Sequence, residues 1–188
     1  GGLVSRYFIE TLQGNKVVKH LIMAGTPNGG SAIGKLTAYR DYLMPLITLA
    51  INSAWGIPAA AGLLAVMKHS KMVTPTLEQM YIDHPDGFLK NLAKTADPGV
   101  PYSIVAGNLY DFLKINPEQK GLMDKLIGLG GKLFYQDQPN DVAVSIESIK
   151  SIPAGRQPAP VSVEVAGNHI NYFEEEGCVE AIVGFMKR

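Results

Sequence analysis

The sequence has one cysteine, Cys178, so no disulfide can close within it and the redox compartment stays open. It has no excess of either charge, with 17 Lys and Arg against 17 Asp and Glu. Without a charged field, nothing points to nucleic acid or to an acidic membrane surface as a partner. No leader peptide is visible, and cytoplasmic and secreted locations both fit. The histidines and carboxylates are not spaced as metal ligands, so no metal and no other cofactor is expected.

Charge is missing altogether from residues 42–67. That span exceeds the ~20 apolar residues a bilayer crossing takes. Pro45, Asn52, Ser53, Gly56 and Pro58 cut it into pieces too short to cross. Short apolar helices around a Gly-Ile-Pro break are expected instead, as a cap over a lipophilic pocket, with a membrane-surface element as the alternative. Residues 74–97 continue the insertion with more charge, around a turn at Asp83-His84-Pro85-Asp86-Gly87.

The whole chain is enough for one domain: 188 residues, 46% hydrophobic and 18% charged. Leu3, Val4, Tyr7, Phe8 and Leu12 follow a helical rhythm that Gly14-Asn15 stops. Gly1-Gly2 leads into this helix with no Ser, Thr or Asp cap, as a cloning scar also would. Residues 17–24 and 100–106 read as buried parallel strands. Val161, Val163 and Val165 alternate with Ser162 and Glu164, a strand with two unlike faces. Ala24-Gly25, Ala106-Gly107 and Ala166-Gly167 are expected to turn the chain at one edge of a sheet. Asn116-Pro117-Glu118 opens a further helix, and Val179, Ile182, Val183 and Met186 give the last one, with Glu174-Glu175-Glu176 in its first turn.

His169 comes directly after the last strand, at the sheet edge where open α/β folds bind ligands. Alone it reads first as a solvated loop histidine. Asp141 reads alone as a turn carboxylate capping a short helix. The glycines after residue 24 lack the lysine spacing of a phosphate-binding loop.

The order of these phrases adds a resemblance. Gly1-Gly2-Leu3-Val4-Ser5-Arg6 is similar to the segment just after the nucleophile in lipase-like α/β-hydrolases, where G-x-S-x-G precedes an aliphatic pair. Gly25-Thr26-Pro27-Asn28-Gly29-Gly30-Ser31 resembles their GTPHxGS phrase, with Asn28 in place of histidine. Pro139-Asn140-Asp141-Val142-Ala143-Val144 resembles the NDGVVP phrase that carries the triad acid, with Val142 where glycine is common. Asn168-His169-Ile170-Asn171-Tyr172-Phe173 resembles their histidine-centred ending. These enzymes present Ser, then Asp or Glu, then His along the chain.

The resemblance implies a partial α/β-hydrolase fold over residues 1–188, mostly parallel sheet, with a helical lid over 36–98. It implies a serine ester hydrolase acting on a small-molecule or lipid ester with an apolar acyl chain. Asp141 and His169 would be catalytic, Leu46, Trp55 and Leu63 would line the acyl site, and Gly1 and Gly2 would flank a nucleophile two positions upstream. Ile33 stands where the elbow would need a glycine after Ser31, and Ser5 lies inside the first helix, so the chain alone is expected to be inactive. A non-catalytic binding module of the same fold and a membrane-associated acyltransferase are the alternatives.

Overall fold

In the computed structural model, residues 1–31, 79–84, 87–117, 135 and 138–188 are described. Strand β2 (Tyr102–Asn108) is buried at every position, as a strand covered on both faces requires. β1 (Leu21–Ala24) and β3 (Val161–Ala166) pair with it in parallel, so the three-stranded sheet runs β1-β2-β3. The register sets Ala24 against Val105 and Asn108 against Ala166. All three strands therefore leave the sheet at one edge.

Helices take the spaces between parallel strands, which tight turns cannot join. Among the described residues, α1 (Gly2–Thr11) precedes β1, α2 (Phe88–Leu92) lies between β1 and β2, α3 (Leu109–Ile115) and α4 (Ile146–Lys150) lie between β2 and β3, and α5 (Glu176–Met186) follows β3. Strand alternation sends Met23, Tyr102, Ile104 and Ala106 to one face, where Ile9 of α1 and Ile146 and Ile149 of α4 cover them. Ile22, Ala24, Val105, Val163 and Val165 face the other way, onto Tyr172 and onto Cys178, Ala181, Ile182 and Phe185 of α5. The arrangement is α/β, with a parallel sheet between helices.

The boundaries differ from the sequence reading for physical reasons. β1 begins at Leu21 rather than Val17, because its partner strand begins at Tyr102 and the first bond between them runs from Leu21 N–H to Pro101 O at 3.0 Å. Val17 is 69% exposed after a 3-10 turn over Gly14–Lys16. His20 stands just before the strand, half-buried, its Nε2 2.9 Å from Ser103 Oγ. β2 runs on through Gly107 and Asn108, where β3 supplies partners. α5 starts at Glu176 with Glu175 as its cap, so Glu174 lies outside it.

Helix α1 departs most. Its buried residues are Leu3, Arg6 and Ile9, while Val4, Tyr7, Phe8 and Leu12 are exposed. An arginine is buried because its charge is met. Arg6 Nε donates to Glu10 Oε1 at 2.8 Å, and Arg6 Nη1 donates to Asn28 Oδ1 at 3.0 Å. Glu10, with no exposed side-chain surface, also receives Arg156 Nη2 at 2.6 Å, Tyr102 Oη at 3.0 Å and the Thr95 hydroxyl. Burial, and then the Glu10 charge, push the Tyr102 phenol well above its ordinary range. Asn28 Nδ2 in turn donates to Ile149 O at 2.7 Å, so the network ties α1, the loop after β1 and α4 together.

The expected lid over 36–98 lies largely outside the described residues, as do the helix expected at Glu118 and the acyl-site residues Leu46, Trp55 and Leu63. Among the described residues, no helix is long and apolar enough to cross a membrane.

Candidate functional site

The loop after residue 138 is pinned to the end of β2 by its own backbone. Leu109 N–H donates to Asn140 O at 2.9 Å, Ile146 N–H to Pro139 O at 2.9 Å, and Asp141 N–H to Val144 O at 3.0 Å. Val142 bends the loop with a φ of 89°, a left-handed conformation that suits glycine and strains a β-branched residue. The helix cap here is Ser145, whose hydroxyl accepts the Ser148 N–H at 3.2 Å. Asp141 therefore does not serve as the cap of α4.

Asp141 is fully buried and accepts four hydrogen bonds. Its Oδ1 receives Ala143 N–H at 3.0 Å and Val144 N–H at 2.7 Å. Its Oδ2 receives His169 Nδ1 at 2.8 Å and Tyr172 Oη at 2.9 Å. That fills the lone-pair positions of an ionised carboxylate. Because Asp141 acts only as acceptor, the ring proton of neutral His169 is assigned to Nδ1, leaving the Nε2 lone pair free to take a proton. The His169 side chain is 40% exposed, against none for Asp141.

The turn that carries His169 is fixed to the same loop. His169 N–H donates to Asp141 O at 2.7 Å, Ile170 N–H to Asn168 Oδ1 at 3.0 Å, and Asn168 N–H to Asn171 Oδ1 at 2.8 Å. Backbone and side chain thus hold the pair in one geometry.

The strand-end glycines make room for it. A Cβ on Gly107 would stand 2.8 Å from Tyr172 Oη, and one on Gly167 would stand 2.6 Å from Cys178 Sγ. Gly25, at φ 58°, has Tyr172 against the space where a Cβ would go and Asp141 Oδ2 3.0 Å from it. The next residue, Thr26, packs on Gly2: a Cβ there would overlap the Thr26 hydroxyl and lie 2.8 Å from Thr26 Cβ. One step of backbone, Gly25 to Thr26, therefore joins the surroundings of Asp141 to the start of α1.

Asp141 and His169, named from the sequence, are brought together. Gly2 is held against the same loop system, and a Cβ on Gly1 would meet open space. Ser31 is committed elsewhere, its hydroxyl donating to Ala143 O at 2.7 Å. Among the described residues no three metal-ligating side chains cluster. A cavity of about 330 Å³ beside α4, lined by Gly30, Ser31, Ser145 and Ser148 among others, includes neither member of the pair.

Sequence reasoning gave no role to Tyr172. Its signal was available: a tyrosine three residues after the histidine, in an ending whose neighbours are Asn168 and Asn171. It also missed Arg6 and Glu10, which show in the sequence only as an i, i+4 pair of opposite charge.

A family model described as "Domain of unknown function (DUF7379)" matches residues 1–187. No curated protein and no solved structure matches the chain.

Proposed function

The chain belongs to that family, and we propose that it is the carboxyl-terminal part of a serine ester hydrolase of the lipase or carboxylesterase type, built on an α/β-hydrolase fold. The observation that carries this reading is the 2.8 Å bond from His169 Nδ1 to the buried Asp141 Oδ2, at the carboxyl edge of a parallel sheet. In this reading the nucleophilic serine precedes Gly1 by two positions.

The contact of Gly2 with Thr26 supports that placement. Thr26 adjoins Gly25, and Gly25 lies on Tyr172 and Asp141. On this reading a residue just ahead of α1 falls near the histidine. His169 Nε2 takes the serine proton as the serine oxygen attacks the ester carbonyl, then returns it to the leaving alcohol. Water deacylates the enzyme by the same route. Asp141 fixes the ring tautomer and stabilises the imidazolium. The oxyanion donors of such sites come from the residue after the nucleophile and from an earlier loop. On this reading both lie ahead of Gly1.

The substrate is an ester with an apolar acyl chain. The uncharged run at residues 42–67, which includes Leu46, Trp55 and Leu63, favours such a chain. Hydrolysis of p-nitrophenyl esters by the natural polypeptide that carries this chain tests the assignment. His169→Ala and Asp141→Asn each lower turnover by about 10³-fold or more at unchanged melting temperature, and residues 1–188 alone are inactive. A charge at Leu46 or Leu63 reduces long-chain ester turnover more than acetate ester turnover. Turnover that survives His169→Ala would contradict the reading.

A further inference from the structure

We infer that Tyr172 is a positioning residue for the Asp141–His169 pair: its hydroxyl shares Asp141 Oδ2 with the imidazole and so limits how strongly that oxygen holds the imidazolium. The inference rests on the reading of the pair as acid and base of a hydrolase.

The hydroxyl has one direction in which to donate. Gly107 N–H donates to Tyr172 Oη at 2.7 Å, which occupies an acceptor position on that oxygen. Its own proton then goes to Asp141 Oδ2, 2.9 Å away. The relay is Gly107 N–H to Tyr172 O–H to Asp141 Oδ2, with His169 Nδ1–H meeting the same oxygen. The ring stands edge-on to the His169 ring at 6.2 Å between centroids. Gly107 and Gly25 both surrender the volume a side chain would take, so that the phenol can reach the carboxylate.

Charge around the site leaves the tyrosine in its donor form. Burial, and then the Asp141 charge, hold the Tyr172 phenol above its ordinary range. The same two causes hold up Tyr135, the other phenol that feels Asp141. From α5, the buried Cys178 thiol is pushed up to about 11 and stays neutral. The Glu175 carboxylate next to that helix is engaged by Asn171 Nδ2 at 3.1 Å. Among the described residues, no lysine or arginine is hydrogen-bonded to Asp141.

An oxygen that accepts two donors is a weaker acceptor for each. While Tyr172 holds Oδ2, the protonated imidazole gains less from Asp141 than it would from an unshared oxygen. Removing the hydroxyl leaves Oδ2 to His169 alone. Asp141 stays in place through its Oδ1 bonds, so the change is in strength and not in position.

The test tracks the His169 ring carbon resonances of the natural polypeptide that carries this chain through a pH titration by NMR. Tyr172→Phe raises the midpoint by about half a pH unit. Replacing Tyr172 with 3-fluorotyrosine, a stronger donor of nearly the same shape, lowers it, and this arm stands if the phenylalanine variant does not fold. In an Asp141→Asn background the Tyr172→Phe change moves the midpoint no further. In the natural polypeptide, the acid limb of the kcat/KM profile for ester hydrolysis moves with the same sign while plateau kcat stays within about twofold. A lower melting temperature with an unmoved midpoint in both variants would assign Tyr172 a packing role only and overturn the inference. A moved midpoint in a polypeptide without ester turnover would support the inference while rejecting the hydrolase reading.

Discussion

Gly2 and Thr26 lie so close that a Cβ on the glycine would overlap the threonine hydroxyl and stand 2.8 Å from its Cβ. This contact fixes the start of α1 on the loop leaving β1. In a helix, Gly→Ala ordinarily stabilises by up to about 1 kcal/mol. At Gly2 the overlap reverses the sign, and Gly2→Ala is expected to lose about 1–3 kcal/mol in urea unfolding. Gly184 of α5 has nothing within 4 Å of its missing Cβ, so Gly184→Ala gains stability there. Equal effects at the two positions would deny the contact.

A second reversal is expected at Val142. Its φ of 89° puts a β-branched residue where glycine fits best, the position at which the phrase it resembles in lipase-like hydrolases carries glycine. The side chain also packs on Leu109, Phe112 and Leu113, so truncation has a cost of its own. Comparing two truncations removes that term. Val142→Gly should be more stable than Val142→Ala by about 1 kcal/mol, against the usual order, because only glycine relieves the backbone. Thermal unfolding of the two variants decides it. Alanine as the more stable one would mean the turn is not strained.

The buried ion network predicts a steep contrast with the surface. Glu10→Ala leaves Arg6 and Arg156 buried without their carboxylate and should cost about 3–5 kcal/mol. Lys114 and Asp111 make a 2.7 Å pair on the exposed side of α3, and Lys114→Ala should cost under about 0.5 kcal/mol. Similar losses from both would mean that the guanidinium groups find water when Glu10 is removed.

Cys178 supplies a pH dependence. Burial, then the Glu175 charge, raise its thiol from 9.0 to about 11 in the fold. The unfolded chain therefore loses this proton first. The stability it contributes is complete below about pH 9 and is lost as pH rises through about 11. Denaturant midpoints measured over that interval should fall, and less so in Cys178→Ala, where the group is absent. A disulfide reagent should modify the thiol only on unfolding; fast labelling of the native chain would place the sulfur at the surface.

How much of this the sequence carried depends on range. Two of the three Ala-Gly pairs, Ala24-Gly25 and Ala166-Gly167, mark strand ends, and the Asp141 and His169 phrases name two residues that the fold hydrogen-bonds to each other. Those signals are local, written in residues next to one another. The start of β1 at Leu21 depends on where a distant strand begins, so periodicity over 17–24 overruns it. The face of α1 depends on Asn28 and Arg156, which meet Arg6 and Glu10 only after folding. Apolar spacing ranked Val4 and Leu12 above Arg6 because it cannot see a buried partner. Tyr172 escaped for the same reason: its role is defined by Gly107, 65 residues earlier.

The central claim is that His169, held by Asp141, activates a serine just ahead of Gly1. A fluorophosphonate probe, which labels only an activated serine, tests it most directly on the natural polypeptide, with the modified peptide read by mass spectrometry. The account predicts one labelled serine two positions before Gly1, labelling lost in His169→Ala, and no labelling of residues 1–188 alone. Labelling that is indifferent to His169→Ala, or a different residue at that position and no labelling at all, would contradict it.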